Sequence, residues 1–222
     1  MRLFYKIIQL VILAVIIFMF SCGKKRPWPV IPGTGSCLTE ARALPFYDSL
    51  NYGTSVAEFG IPPGWLEEVV PGAKTDRGWA YRATYGLYGA PNVYDGCILA
   101  SAFGGNPGVD NTYLIIGPFN LAQYDSVQLA FDYRVEYSGA GTITFKYSTD
   151  YPGCGNPEAQ TTWNPLTGIN AILPASATQG YVNISDNFTL KDDHVFIGVH
   201  FNGGLPSGSP RYRIDNFRLI GF

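Results

Sequence analysis

The sequence predicts an all-β fold of two packed sheets, and three observations carry that prediction. Apolar and polar residues alternate with period two in several segments, while no long segment after residue 40 keeps a helical period. Aromatic residues reach 15% against only 14% charged, which suits half-buried strands. Finally, 26 Gly and 16 Pro supply the turns that short strands need and a helical bundle does not.

Residues 1–21 are set apart from this pattern. Arg2 and Lys6 precede an apolar run from Ile7 to Phe20, broken only by Gln9, and Ser21 then leads to Cys22. A charged start, a short apolar run and a small residue at the cut make a secretory signal peptide. The run is shorter than the ~20 residues of a spanning helix, and an uncleaved membrane anchor is the alternative. Residues 22–44 read as an extended tether, because Pro27, Pro29, Pro32, Gly33 and Gly35 leave it no core of its own. Its cations, Lys24, Lys25 and Arg26, are too few for a polybasic membrane cluster and suit a solvated linker.

Residues 45–222 form the folded domain. Val127, Leu129, Phe131, Tyr133 and Val135 alternate with polar or small residues over one long strand. Ile143, Phe145 and Tyr147 do the same in the next, and the Ser138-Gly139-Ala140-Gly141 link predicts a hairpin between them. Tyr113 to Gly117 reads as a buried strand ended by Pro118, and later strands fall at 181–190, 194–202 and 211–220. In the last of these the apolar phase slips at Asp215-Asn216, which predicts either a β-bulge or a strand that changes faces at a corner.

An exported chain permits disulfides, but Cys37, Cys97 and Cys154 are three, so at least one stays unpaired. Cys97 lies in an apolar stretch and suits a small buried hydrophobe, and the sequence alone does not pair the other two. The net charge of −2, with no basic patch along the domain, argues against nucleic acid as a partner.

Two resemblances follow from these residues. Phe18-Met19-Phe20-Ser21-Cys22 resembles the lipobox of bacterial lipoproteins, including Bacteroidetes-type ones, although Phe20 stands where small residues are commoner. It implies acylation of Cys22 and attachment to the outer membrane, with the periplasmic or surface face left open. Along the domain, Ile61-Pro62-Pro63-Gly64-Trp65, Gly78-Trp79, Asp110-Asn111-Thr112-Tyr113, Leu129-Ala130-Phe131-Asp132-Tyr133 and Tyr212-Arg213-Ile214-Asp215-Asn216-Phe217 occur in that order. This order resembles the choice-of-anchor J and cleaved-adhesin domains, which are MAM-like, galactose-binding-like jelly rolls. The resemblance implies a two-sheet jelly roll, adhesin-like or carbohydrate-binding roles, and a structural Ca²⁺ with Asp215 as one ligand. Asp48, Glu58 and Asp110 are the further carboxylates proposed to join it.

Carbohydrate sites combine aromatic platforms with a few oriented polar groups. Trp163, in a long polar loop from Gly153 to Thr167, and Tyr151 are the leading platforms, with Trp79, Tyr85, Tyr88 and Tyr94 also considered. Asp132, Arg134, Glu136 and Lys146 are expected on one solvent face of the predicted hairpin. Catalytic patterns are weak. His194 and His200 would lie ~20 Å apart on one strand, too far to ligate one zinc ion, and Glu67-Glu68 would point to opposite faces. The expectation is a non-catalytic envelope lipoprotein that binds a glycan or a host-surface protein. A structural or assembly lipoprotein contacting other envelope proteins, and a glycan-active hydrolase, are the alternatives.

Overall fold

A computed structural model describes residues 37–53, 55, 60–73, 78–83, 85–86, 95–102, 109–159, 161–203 and 209–222. Residues 1–21, expected to be a signal peptide, together with Cys22, most of the expected tether, Glu58, Tyr88 and Tyr94, lie outside them. Eleven strands and one short helix are described: β1 Phe46–Asp48, β2 Trp65–Val69, β3 Gly78–Arg82, β4 Cys97–Ser101, β5 Asn111–Phe119, β6 Val127–Glu136, β7 Gly141–Ser148, β8 Asn164–Pro165, α1 Thr167–Ile172, β9 Val182–Phe188, β10 Val195–Gly203 and β11 Arg211–Gly221. They form an antiparallel two-sheet sandwich. One sheet has six strands in the order β3-β4-β11-β6-β9, with β1 also on β11, and the other has five in the order β2-β5-β10-β7-β8.

The alternation read from the sequence sets which side chains meet between the sheets. Leu129, Phe131, Tyr133 and Val135 of β6 and Phe145 of β7 all enter one core. Phe131 stacks on Phe145 with centroids 4.4 Å apart, and Phe217 packs edge-on against Trp65 at 5.1 Å. Burying each such side chain is worth about 1.5–3 kcal/mol.

That stacked pair overturns the predicted hairpin. β6 pairs with β11 and β9, whereas β7 pairs with β10 and β8. The link after Glu136 therefore crosses from one sheet to the other, with Tyr137 (φ 65°) and Gly141 (φ 154°) turning the chain. Each strand has one apolar side, and the two sides bury more surface face to face across the sandwich than edge to edge. Asp132 and Arg134 consequently lie on the outside of the six-stranded sheet and Lys146 on the outside of the five-stranded one, so these residues share no face.

The phase slip in the last strand is a β-bulge. β11 keeps register with β6 up to Asp215 opposite Asp132, then resumes at Arg218 opposite Ala130, with Asn216 at φ 49°. The bulge re-aims Phe217 and Leu219 into the core. β4 pairs with β11 over residues 211–214, and β1 takes over at 217–219.

Helix α1 closes one end of the core through Ile169. Its Asn170 substitutes for a strand neighbour: Oδ1 accepts from the Phe145 N–H (2.8 Å) and Nδ2 donates to the Phe145 carbonyl (2.9 Å). No helix among the described residues is long and apolar enough to cross a membrane. Cys97 is buried and free, and burial pushes its thiol up to about 12.

Candidate functional site

The outer face of the five-stranded sheet carries the most structured surface cluster. Antiparallel register places Tyr113, His200 and Thr144 in one row across β5, β10 and β7, and Ile115, Gly198 and Lys146 in the next. After β7 the chain folds back over these rows. Ser148 Oγ starts the turn by accepting from the Asp150 and Tyr151 N–H groups (3.2 and 3.1 Å), and it donates to Asp150 Oδ1 (2.7 Å). The Asp150 carboxylate in turn accepts from the Thr162 N–H, which closes the loop twelve residues later.

Three further ties hold this loop, two to the segment before β1 and one to β2. Cys154 is disulfide-bonded to Cys37. The Leu38 N–H donates to the Gly153 carbonyl (2.9 Å), and Glu68 Oε1 accepts from the Gly155 N–H (2.8 Å). Gly153 must be glycine here: its φ is +87°, and a Cβ would sit 2.3 Å from the Leu38 carbonyl oxygen.

The loop delivers Trp163 onto the sheet. Its indole Nε1 donates to the Pro157 carbonyl (2.7 Å), and its ring lies over Gly198, where a Cβ would come within 2.6 Å of the ring. Tyr113 and Tyr151 flank it at centroid distances of 5.3 and 5.5 Å. Tyr113 also stacks on the His200 imidazole, 4.2 Å away and within 9° of parallel. The Tyr113 hydroxyl accepts from Lys146 Nζ (2.9 Å) and donates to Glu158 Oε1 (3.3 Å).

Partial burial shifts the charges of this cluster. It lowers His200 to about 4, helped by the Lys146 cation, so the imidazole is neutral at pH 7. His200 Nε2 contacts Asn111 Oδ1, an acceptor that selects the tautomer protonated at Nε2. Burial also lowers Lys146, and it raises Tyr113 together with the Glu158 charge. The result is an aromatic floor with Trp163, His200, Thr144 and Lys146 half-buried and Glu158 exposed at its rim.

Three of the five ligand-binding residues expected from the sequence, Trp163, Tyr151 and Lys146, therefore meet here. Tyr151 needs correction as a platform: it is buried beneath Trp163 and against Phe196, and it supports the site without facing a ligand. Trp79 is likewise buried, edge-on to Phe201 in the core. Tyr113, His200 and Glu158 were not expected in the site. Tyr113 sat inside a nearly continuous apolar run, and His200 was weighed only as a metal ligand.

Asp132 and Arg134 belong to the opposite face. The Asp132 carboxylate accepts from the Asn183 and Asn216 amides (2.9 Å each), and Arg134 pairs with Glu136 at 3.2 Å. Asp215 is buried at the bulge, where Oδ1 accepts from the Asn216 N–H (2.7 Å). Asp48 holds a corner: Oδ1 accepts from the Leu50 N–H, and Oδ2 accepts from the Tyr52 hydroxyl (2.7 Å) and Trp65 Nε1 (2.8 Å). Asp110 is fully buried where β5 begins, and its charge helps raise Glu67. Among the described residues, no three His, Cys, Asp or Glu side chains are placed to hold one metal ion.

Glu67 and Glu68 point to opposite faces, as alternation requires. Glu67 turns inward and accepts from the Trp79 N–H of β3 (2.8 Å). Burial, with the Asp110 and Glu68 charges behind it, raises Glu67 to about 8 against the lowering effect of that bond.

No family model matches the sequence, and no curated protein matches it. Solved structures do share the fold. The K2 cleaved adhesin domain of Lys-gingipain is similar with a TM-score of 0.50 and 12% identity, over 79% of this chain and 99% of that one. The K1 cleaved adhesin domain of Lys-gingipain from Porphyromonas gingivalis W83 gives 0.49 and 14%, over 80% and 98%. The CBM22-1 xylan-binding domain of Xyn10C from Paenibacillus barcinonensis gives 0.41 and 12%, over 84% and 95%. At such identities the likeness extends to the jelly-roll sandwich and no further.

Proposed function

We propose that this chain is a non-catalytic binding module of the cell envelope, acylated at Cys22, that takes a glycan along the outer face of its five-stranded sheet. The observation that carries this reading is the pair of half-buried rings, Trp163 and His200, held in place by the buried Tyr113 that touches both and bordered by Lys146 and Glu158. A rigid aromatic floor with a few oriented donors and acceptors is the chemistry that recognises a sugar ring.

Binding is favoured over hydrolysis by how the carboxylates at the stack are used. Glu68 accepts from the Gly155 N–H, and Glu158 accepts from the Tyr113 hydroxyl. A glycosidase needs two carboxyl groups facing one bond across a cleft.

The test is a glycan array with the soluble domain, followed by calorimetric titration of any hit. Trp163→Ala is expected to weaken binding about tenfold or more while the domain stays folded. An array without a hit, or a hit untouched by Trp163→Ala, removes the proposal. Mass spectrometry of the membrane-extracted protein tests the anchor by the diacylglyceryl mass on Cys22.

A further inference from the structure

The outer face of the six-stranded sheet holds a chemically different surface. Three guanidinium groups converge on the single carboxylate of Glu136: Arg213 at 2.7 Å, Arg211 at 3.2 Å and Arg134 at 3.2 Å. The register explains why they meet. Arg211 stands opposite Glu136, and Arg213 stands opposite Arg134. Like charges directly opposed on neighbouring strands are unfavourable, and one carboxylate cannot neutralise three cations. In the next row Asp132 accepts from the Asn183 and Asn216 amides.

The cluster also has unspent donors. Nε of Arg134 and of Arg213 is buried with no hydrogen-bond acceptor among the described residues. The Arg213 side chain is only 6% exposed and so is locked in place, while those of Arg134 and Arg211, at 31% and 29%, reach solvent. Two tyrosines border the cations. Arg211 lies 5.4 Å from the ring of Tyr137, which is 62% exposed, and Arg213 lies 4.7 Å from the ring of the partly exposed Tyr85. Arg211 and Arg213 are alternate residues of one strand, so their Cα atoms are ~7 Å apart.

We propose that this face is an anion-reading site for an acidic polysaccharide, with Arg134 and Arg211 binding its carboxylate or sulfate groups and Tyr137 packing on a sugar ring. Guanidinium forks take planar carboxylates and sulfate oxygens in pairs of charge-assisted bonds. Glu136 and the buried Arg213 hold the two accessible forks in position, so little ordering remains when the anion arrives. An exposed aromatic ring beside the cations favours a sugar polymer over a simple acidic peptide. This site does not depend on the five-stranded face and stands or falls separately.

The experiment titrates the folded domain with polygalacturonate, heparin, neutral xylan and poly-glutamate. At low salt, polygalacturonate or heparin binds, and the better of the two tells carboxylate from sulfate. Binding weakens steeply between about 0.05 and about 0.5 M salt. The Arg134→Gln/Arg211→Gln double variant weakens it about tenfold or more, with the circular dichroism melt confirming the fold and any neutral-glycan binding left intact. Tyr137→Gly, at an exposed position already in the left-handed region, keeps the fold and weakens binding several-fold. Neither polymer binding at low salt, the double variant binding like wild type, or poly-glutamate binding as tightly as the polysaccharides would each overturn the assignment.

Discussion

The two outer faces of this sandwich come from the same alternation and have been put to opposite uses. On the five-stranded side the outward positions hold Tyr113, Ile115, Gly198 and His200, and a disulfide-tied loop lies over them. On the six-stranded side they hold Asp132, Arg134, Glu136, Arg211 and Arg213, and three guanidinium groups share the one Glu136 carboxylate. The first face builds its site by excluding water, so its titrating groups move: His200 and Lys146 go down and Tyr113 goes up. The second builds its site from permanent charge. The inward residues specify the fold, and the outward ones are free to differ.

The sharpest way to break the contrast is to cut the clamp on one face. Cys154→Ser should cost about 2–5 kcal/mol in urea unfolding and shift Trp163 emission to the red as its environment loosens. Unchanged stability and emission would mean that the hydrogen bonds to Glu68 and Leu38 hold the loop unaided.

Gly198→Ala acts on the same face more locally. The new Cβ would meet the Trp163 ring at 2.6 Å, so the indole must shift, at about 1–3 kcal/mol. Glycan binding should fall with it, while acidic-polymer binding on the opposite face is preserved. Loss at both faces would show that they are not independent.

Two titrations sharpen the comparison at smaller amplitude. Burial, helped by the Lys146 cation, holds His200 at about 4, below the ordinary imidazole value of 6.5. Its contribution is fully present above about 6.5 and is lost as pH falls toward 4. Glu67 runs the other way: raised from 4.5 to about 8, its contribution is full below about 4.5 and is lost as pH rises toward 8. Melting temperatures from pH 4 to 8 should therefore rise at the alkaline end in Glu67→Gln and flatten at the acidic end in His200→Gln. An unaltered profile in both variants would show that neither group is shifted by burial.

Much of this architecture is legible in the sequence because side-chain direction repeats every two residues. The strands around Phe131 and Phe145 follow from that period, and it locates the irregularity at Asp215-Asn216, which the strand register resolves as a bulge. Strand pairing does not follow. A four-residue Gly-rich link serves a hairpin or a sheet-to-sheet crossing equally well, and only the meeting of Phe131 with Phe145 across the core decides between them. The site divides along the same line. Lys146 could be placed on an outward row, but Trp163 has no period to place it, and the flat spot that receives it is an absent side chain at Gly198 on a strand remote in sequence. Tyr151 read as a platform because its neighbours are polar, whereas the disulfide-tied loop buries it. The arginine cluster is invisible along the chain because β6 supplies one guanidinium and β11 two.

Strand β11 pairs with β1, β4 and β6, so the middle of the six-stranded sheet is also the last strand in chain order. Synthesis runs from the N-terminus at about 5–20 residues per second. During that interval β1, β4 and β6 have been made with nothing to pair along the edges that β11 will occupy. Local contacts cannot substitute for it, because β1 meets β11 across almost the whole described chain. The nascent polypeptide thus stays open, and vulnerable to edge-to-edge association, until the eleven residues of β11 have emerged.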